Sequence, residues 1–159
     1  MITINILCVG KIKEDFFKAA IQEYSKRLTK FCNLNILELQ DEKIPDKLNN
    51  SLITEIKEKE SNKLISHIKS NSYIISLDLK GKDFSSEEFS KSLDNLSMVT
   101  SDITFIIGGS LGLSEKILSI SNEKISFSKM TFPHQLIRIF LLEQIFRAFK
   151  ISNNQTYHR

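Results

Sequence analysis

The stretch TFIIGGSLGL at residues 104–113, followed after a short amphipathic piece by SFSKMTFPHQLIRIFLLEQIFRAFKI at residues 126–151, decides the fold. Thr104 to Ile107 is an apolar β-run, stopped by Gly108-Gly109 with Gly112 three residues on, so three of the five glycines fall within five positions. Without a Cβ the chain can turn sharply and let another group approach its backbone. A second loop, Ser126 to Pro133, opens into the most apolar helix of the sequence. Two loops of this kind, beside strand ends and a helix start, are where an α/β protein places a ligand.

Outward from this stretch, the chain alternates strand and helix. Ile2 to Val9 has the apolar content of a central strand and is ended by Gly10. From Lys11 to Phe31, the residues Phe16, Phe17, Ala20, Ile21, Tyr24 and Leu28 recur at helical spacing. Asn33 to Leu39 alternates as a second strand, and Gln40 to Asn50, with Pro45, reads as a polar, mobile loop. Ser51 to Ser70 predicts a charged helix with one thin apolar stripe, and Tyr73 to Leu79 a third strand ended by Lys80-Gly81-Lys82. Ser85 with Glu88 fits a capping box opening a helix to about Leu96. Ile103 to Ile107 is the fourth strand, Ser114 to Ile120 a short helix and Lys124 to Phe127 a short fifth strand. The expected fold class is α/β: one domain over 1–159, with a mostly parallel sheet and helices on both faces.

The last helix carries apolar residues nearly all round, from Leu136 to Phe149, and must be covered on several sides, for which a second copy of the chain is a natural partner. Pro133 sits where its missing N–H costs little. Glu143 and Arg147 form an ordinary i,i+4 helix pair.

Bulk properties narrow the function. With 159 residues, 41% hydrophobic and 26% charged, the chain can build a real core. No apolar run approaches a membrane span, and Met1 leads directly into a strand rather than a signal peptide. Cys8 and Cys32 form no CxxC, which fits reduced thiols in a cytoplasmic protein, and His67, His134 and His158 have no metal-ligand spacing. Charge is uneven: residues 1–30 carry six Lys/Arg against three acids, residues 129–159 five against one, and residues 31–128 eleven against fifteen. Basic ends that converge suit a phosphate backbone, whereas scattered ones are solvated helix faces.

GGSLG is neither a Walker loop, which needs Gly-Lys-Ser/Thr, nor the GxGxxG dinucleotide fingerprint, so the spacing alone fits a tight turn as well as a ligand loop. His134 and Arg138 share a helix face at a helix start, which suits an anion or a carbonyl-bonded histidine. The tail ends Tyr157-His158-Arg159, groups that can stack on a base and hold a phosphate, or simply fray.

FIIGG-x-x-G-L, SFSKMTFPHQLIR, EQIFRAFKI and the terminal YHR closely resemble the large-subunit ribosomal RNA methyltransferase H family, small SPOUT-class enzymes, and V-G-K at 9–11 and L-D-L-K-G at 77–81 extend the resemblance over essentially the whole chain. The family's tyrosine before Arg-Ala is Phe146 here. The resemblance implies a C-terminal trefoil knot and methylation at N3 of a pseudouridine in 23S ribosomal RNA of assembled ribosomes. It implies S-adenosylmethionine held by Leu77, Gly108 and the run Phe127, Ser128, Lys129, Met130, Thr131 and Phe132, with no metal. It further implies a cytoplasmic homodimer whose partner is ribosomal RNA rather than DNA or a membrane. His134, Arg138, Tyr157, His158 and Arg159 are the catalytic candidates. The competing expectation is a non-catalytic RNA-binding or ribosome-associated domain of the same fold.

Overall fold

A computed structural model describes residues 1–159. Its elements are β1 (Thr3–Val9), α1 (Asp15–Leu28), β2 (Asn33–Leu39), α2 (Asn50–Ile65), β3 (Tyr73–Asp83), α3 (Ser86–Val99), β4 (Asp102–Ile107), α4 (Glu115–Ile120), β5 (Glu123–Ser126) and α5 (His134–Ser152). The five strands form one sheet in the order β2-β1-β4-β3-β5, and every pairing is parallel. Because β4 is inserted between β1 and β3, all six of its residues are buried.

Side chains alternate across the sheet with period two. Ile4, Ile6 and Cys8 of β1, with Ile103, Phe105 and Ile107 of β4, face a core of 17 buried residues shared with α1, α3 and α5. Leu7, Val9 and Ile106 face the opposite way, onto Leu64 of α2, Leu113, and Ile117 of α4. Helices therefore cover both faces, as the alternation predicts. Leu141, Leu142, Ile145 and Ala148 of α5 are at most 1% exposed. The N-terminal half of α5 is less covered: Phe140 is 36% exposed and meets Phe132 edge-on at 5.4 Å between centroids.

Helix α1 is shorter than expected, Asp15–Leu28 rather than Lys11–Phe31, and two further departures have a local reason. The charged helix stops at Ile65 rather than Ser70, where Ser66 Oγ (2.7 Å) and His67 Nδ1 (2.9 Å) both bond the Lys63 carbonyl and compete with the next helical turn. The third strand does not end at Lys80-Gly81-Lys82 but runs to Asp83. It pairs with β5 twice, so that Ile125 faces both Leu77 and Lys82. At the crossing, a Cβ on Gly81 would fall 2.6 Å from the Ile125 carbonyl carbon and 2.7 Å from its nitrogen, so only glycine fits. The predicted capping box is present, with Glu88 N donating to Ser85 Oγ and Ser85 N to Glu88 Oε2. The segment expected as a loop over Gln40–Asn50 has no regular structure as far as Asn49, Asn50 opening α2, and it is tethered to that helix by a Lys63–Glu42 ion pair of 2.7 Å. No helix is long and apolar enough to cross a membrane.

Candidate active site

The carboxyl ends of the strands carry the loops singled out in the sequence. Behind β4, Gly112 N donates to Gly109 O at 3.0 Å and closes a tight turn, with Gly112 at φ +80°. A Cβ on Gly108 would lie 2.8 Å from the Gly112 carbonyl carbon. This glycine is required by closure of the loop on itself. Behind β5, Ser126 Oγ donates to Ser128 O (3.0 Å) and Met130 N to Ser128 Oγ (3.0 Å), which shapes the second loop.

Beside that second loop lies a cavity of about 470 Å³. Phe84, Phe89, Phe127, Phe132 and Phe140 supply aromatic walls, and Ser85, Ser86, Ser126 and Ser128 supply hydroxyls. Gln144 and Glu143 project into it from α5, and Glu143 is its one carboxylate. Flat apolar walls with a few hydroxyl and amide groups suit a planar heterocycle carrying polar edges. Of the residues expected to hold the cofactor, Phe127, Ser128 and Phe132 line this cavity. Leu77 is half-buried against the main core and pairs with Ile125, itself a lining residue. Gly108 sits in the neighbouring turn, while Lys129, Met130 and Thr131 are exposed.

The expected catalytic residues fall into two separate groups. His134 and Arg138 lie at the ends of β1 and β2. Arg138, expected among the catalytic groups, has a side chain only 2% exposed. Its Nη1 donates to Glu38 Oε2 at 2.7 Å, and its Nη2 to Gly10 O at 2.8 Å and Val9 O at 3.0 Å. With its terminal nitrogens committed to protein acceptors, it frames the site rather than facing a substrate. His134 Nδ1 accepts a further bond from Arg138 Nη2 at 3.2 Å, which leaves its proton on Nε2. Burial first, and then the adjacent guanidinium, hold this imidazole below the ordinary histidine range, so it is neutral near pH 7.

The tail forms the second group, and it is docked. Asn154 at φ +51° turns the chain back after α5. Tyr157 packs edge-on against Phe146 at 5.0 Å and lies under the Arg147 guanidinium at 4.7 Å. Its hydroxyl donates to Glu143 Oε1 at 3.0 Å. Burial and this bond push its pKa up, so the phenol keeps its proton. His158 Nδ1 accepts from Arg147 Nη1 (3.2 Å), and its Nε2 donates to Glu87 (2.6 Å) at the start of α3. Arg159 stands exposed beyond them.

Glu143 and Arg147 thus do more than brace a helix. Arg147 Nη2 reaches Glu143 Oε1 at 2.7 Å with Nε at 3.1 Å, and this pair holds Tyr157 and His158 beside the cavity. Their i,i+4 spacing is visible in the sequence, but its connection to the tail is not, since the partners meet only after the chain turns at Asn154. The cysteines contribute no nucleophile: both are buried, and burial pushes Cys8 up to about 12 and Cys32 to about 11. No group of three or more His, Cys, Asp or Glu side chains is placed to hold a metal ion.

Comparison with known proteins agrees with this layout. A family model described as "Predicted SPOUT methyltransferase" matches residues 2–158. A curated relative from Clostridium botulinum (strain Kyoto / Type A2), named ribosomal RNA large subunit methyltransferase H, is 60% identical over 159 residues, covering 98% of this chain and 99% of its own. One of the same name from Clostridium acetobutylicum is 57% identical over 157 residues, covering 98% of this chain and 99% of its own. Among solved structures, a putative methylase family protein from Neisseria gonorrhoeae superposes with a TM-score of 0.58 at 10% identity, covering 99% of this chain and 87% of that one. The A. aeolicus TrmH/SpoU tRNA modifying enzyme gives 0.54 at 13% identity, covering 96% and 78%. These two likenesses show the shared fold, while the full-length match and the high identities fix the lineage: the chain belongs to the SPOUT methyltransferase family, alongside the ribosomal RNA large subunit methyltransferases H.

Proposed function

We propose that this chain is an S-adenosylmethionine-dependent methyltransferase of large-subunit ribosomal RNA that methylates N3 of a pseudouridine in assembled ribosomes, and so works in the cytoplasm. The observation that carries the reading is the aromatic and hydroxyl-lined cavity beside the β5–α5 loop, whose lining residue Glu143 is bonded to Tyr157 of the docked tail. The chain would act as one unit over residues 1–159, with the C-terminal trefoil knot that the resemblance implies. Relatives named as methyltransferases favour an enzyme over a non-catalytic RNA-binding domain.

The residues present fit the cofactor. Gly108, Leu77 and the 127–132 loop would hold it, with Phe127 and Phe132 against a heterocycle and Ser128 near hydroxyl groups. When bound, S-adenosylmethionine supplies a methyl group already activated on a sulfonium. What remains for the protein is alignment of the attacking nitrogen and removal of its proton. Tyr157, held by Glu143, would position the base. Arg159 would pair with a phosphate or favour the imide anion, and His158, fixed by Arg147 and Glu87, would orient the tail. His134, though neutral, is committed to Arg138 at Nδ1 and serves the frame around Gly10. Calorimetric titration with S-adenosylmethionine, followed by mass spectrometry of ribosomal RNA from a deletion strain, tests the reading. Micromolar binding and loss of one methyl group from large-subunit RNA are expected. No binding, or an unchanged RNA, would refute it.

The reading includes a homodimer. Phe132 and Phe140 line the cavity while remaining partly exposed, and Met130 beside them is 72% exposed. A second copy laid over this patch would bury it and close the cavity. Light scattering at micromolar concentration should give twice the 18.3 kDa chain mass. A fully active monomer would exclude that interface.

A further inference from the structure

We propose that Glu60, with its neighbours Ser61 and Asn62 on α2, is a positioning residue for the glycine loop and its exit into α4, a role that rests on reading this loop as part of the cofactor site. Glu60 belongs to one of the most charged segments of the chain, yet it is only 6% exposed. Burying a carboxylate is costly unless it has a task and partners. Burial pushes its pKa up, and its Oε2 accepts the Glu42 N–H at 3.1 Å.

Its position explains the burial. Both carboxylate oxygens lie 3.6 Å from where a Cβ of Gly109 would stand, and Val9 Cγ1 lies 3.2 Å from the same point. Glu60 of α2 and Val9 of β1 therefore both crowd the Cβ side of Gly109. The next two residues grip the far end of the same segment. Ser61 Oγ hydrogen-bonds Ser114 Oγ, the cap of α4, and both serines are buried. Asn62 Oδ1 accepts from Lys116 Nζ at 2.9 Å. Three successive residues of one helix thus line this segment: Glu60 beside Gly109, Ser61 bonded to Ser114 and Asn62 bonded to Lys116 of α4.

The same helical turn also holds the loop behind β2. Glu60 takes the Glu42 N–H, and Lys63 pairs with Glu42 and donates to Gln40 O at 3.1 Å. The loops on both sides of β1 are anchored to one rigid element. A loop held in its binding shape loses less freedom when a ligand arrives, so its support acts on affinity rather than on the chemical step.

The test is calorimetry with S-adenosylmethionine, paired with steady-state kinetics on ribosomes. Glu60→Ala should raise the cofactor dissociation constant about tenfold, while kcat at saturating cofactor and KM for ribosomes stay within about twofold. Glu60→Gln should recover to within about threefold of wild type, because its amide oxygen still accepts the Glu42 N–H and fills the same space. Should Glu60→Ala fail to fold, Ser61→Ala and Asn62→Ala carry the same expectation at about threefold each. Wild-type affinity in these folded variants overturns the proposal. Gly108→Ala is the control for the loop itself, since its Cβ meets Gly112 at 2.8 Å. If Gly108→Ala weakens binding and Glu60→Ala does not, only the positioning role falls. If neither does, the loop is not part of the cofactor site.

Discussion

Deleting residues 157–159 is expected to cut methylation of ribosomal RNA by on the order of a hundredfold or more, since the group proposed to position the base would be gone. Cofactor affinity should stay within about twofold, because the tail's hydrogen bonds and ring contacts go to Glu87, Glu143, Phe146 and Arg147 rather than to the glycine loop or the 127–132 loop. The tail is not a loose end, so some stability goes with it. Tyr157 covers Phe146 and satisfies Glu143, and removing an edge-on aromatic contact of about 1 kcal/mol should lower the melting temperature by roughly 2–4 °C. Tyr157→Phe separates the two effects: it keeps the ring on Phe146 but loses the bond to Glu143, so activity should fall with little change in melting. A truncated enzyme working at the normal rate would make the tail mere packing and return attention to His134.

Arg138→Met should be strongly destabilising. The guanidinium neutralises Glu38 and satisfies the carbonyls of Val9 and Gly10 where β1 ends at the left-handed Gly10, φ +93°. Removing it leaves two buried acceptors and an unpaired carboxylate that also holds the Ile12 N–H at 2.7 Å. Breaking a pair of this kind costs about 3 kcal/mol, at the lower end of the usual range because Glu38 is partly exposed. That corresponds to roughly 6–12 °C in melting temperature for a chain of this size. Urea unfolding of Arg138→Met alone and with Glu38→Gln checks it, and the double variant should recover part of the loss. A loss under about 1 kcal/mol would mean the site relaxes around the gap.

The elements are legible in the sequence because their patterns are local. Period-two alternation marks β2, helical spacing marks α1, and Ser85 with Glu88 marks the start of α3. What stays hidden depends on contacts far apart in sequence. Gly81 reads as a strand stop, since a glycine demanded by Ile125, 44 positions later, carries no local mark. Glu60 is one charge among many in a charged helix, and only tertiary contact distinguishes it. The cavity draws on β5, α3, α5 and two loops, and the tail's order rests on Glu143 and Glu87 rather than on its own polar sequence. Arg138 resembles an active-site cation by position and composition alike, and its commitment to Glu38, Val9 and Gly10 carries no mark in the sequence.

The insertion of β4 between β1 and β3 bears on how the chain is made. Synthesis proceeds from the amino terminus, and β1 and β2 can pair as soon as residues 33–39 emerge. The other edge of β1 waits for Asp102–Ile107, about a hundred residues downstream, and until then β3 has no neighbour to dock on. Nascent chains halted before that point should present Ile6 and Ile75 on open strand edges and attract chaperones; release of the six residues of β4 should close the free edge of β1 and one edge of β3, whose other edge waits for β5.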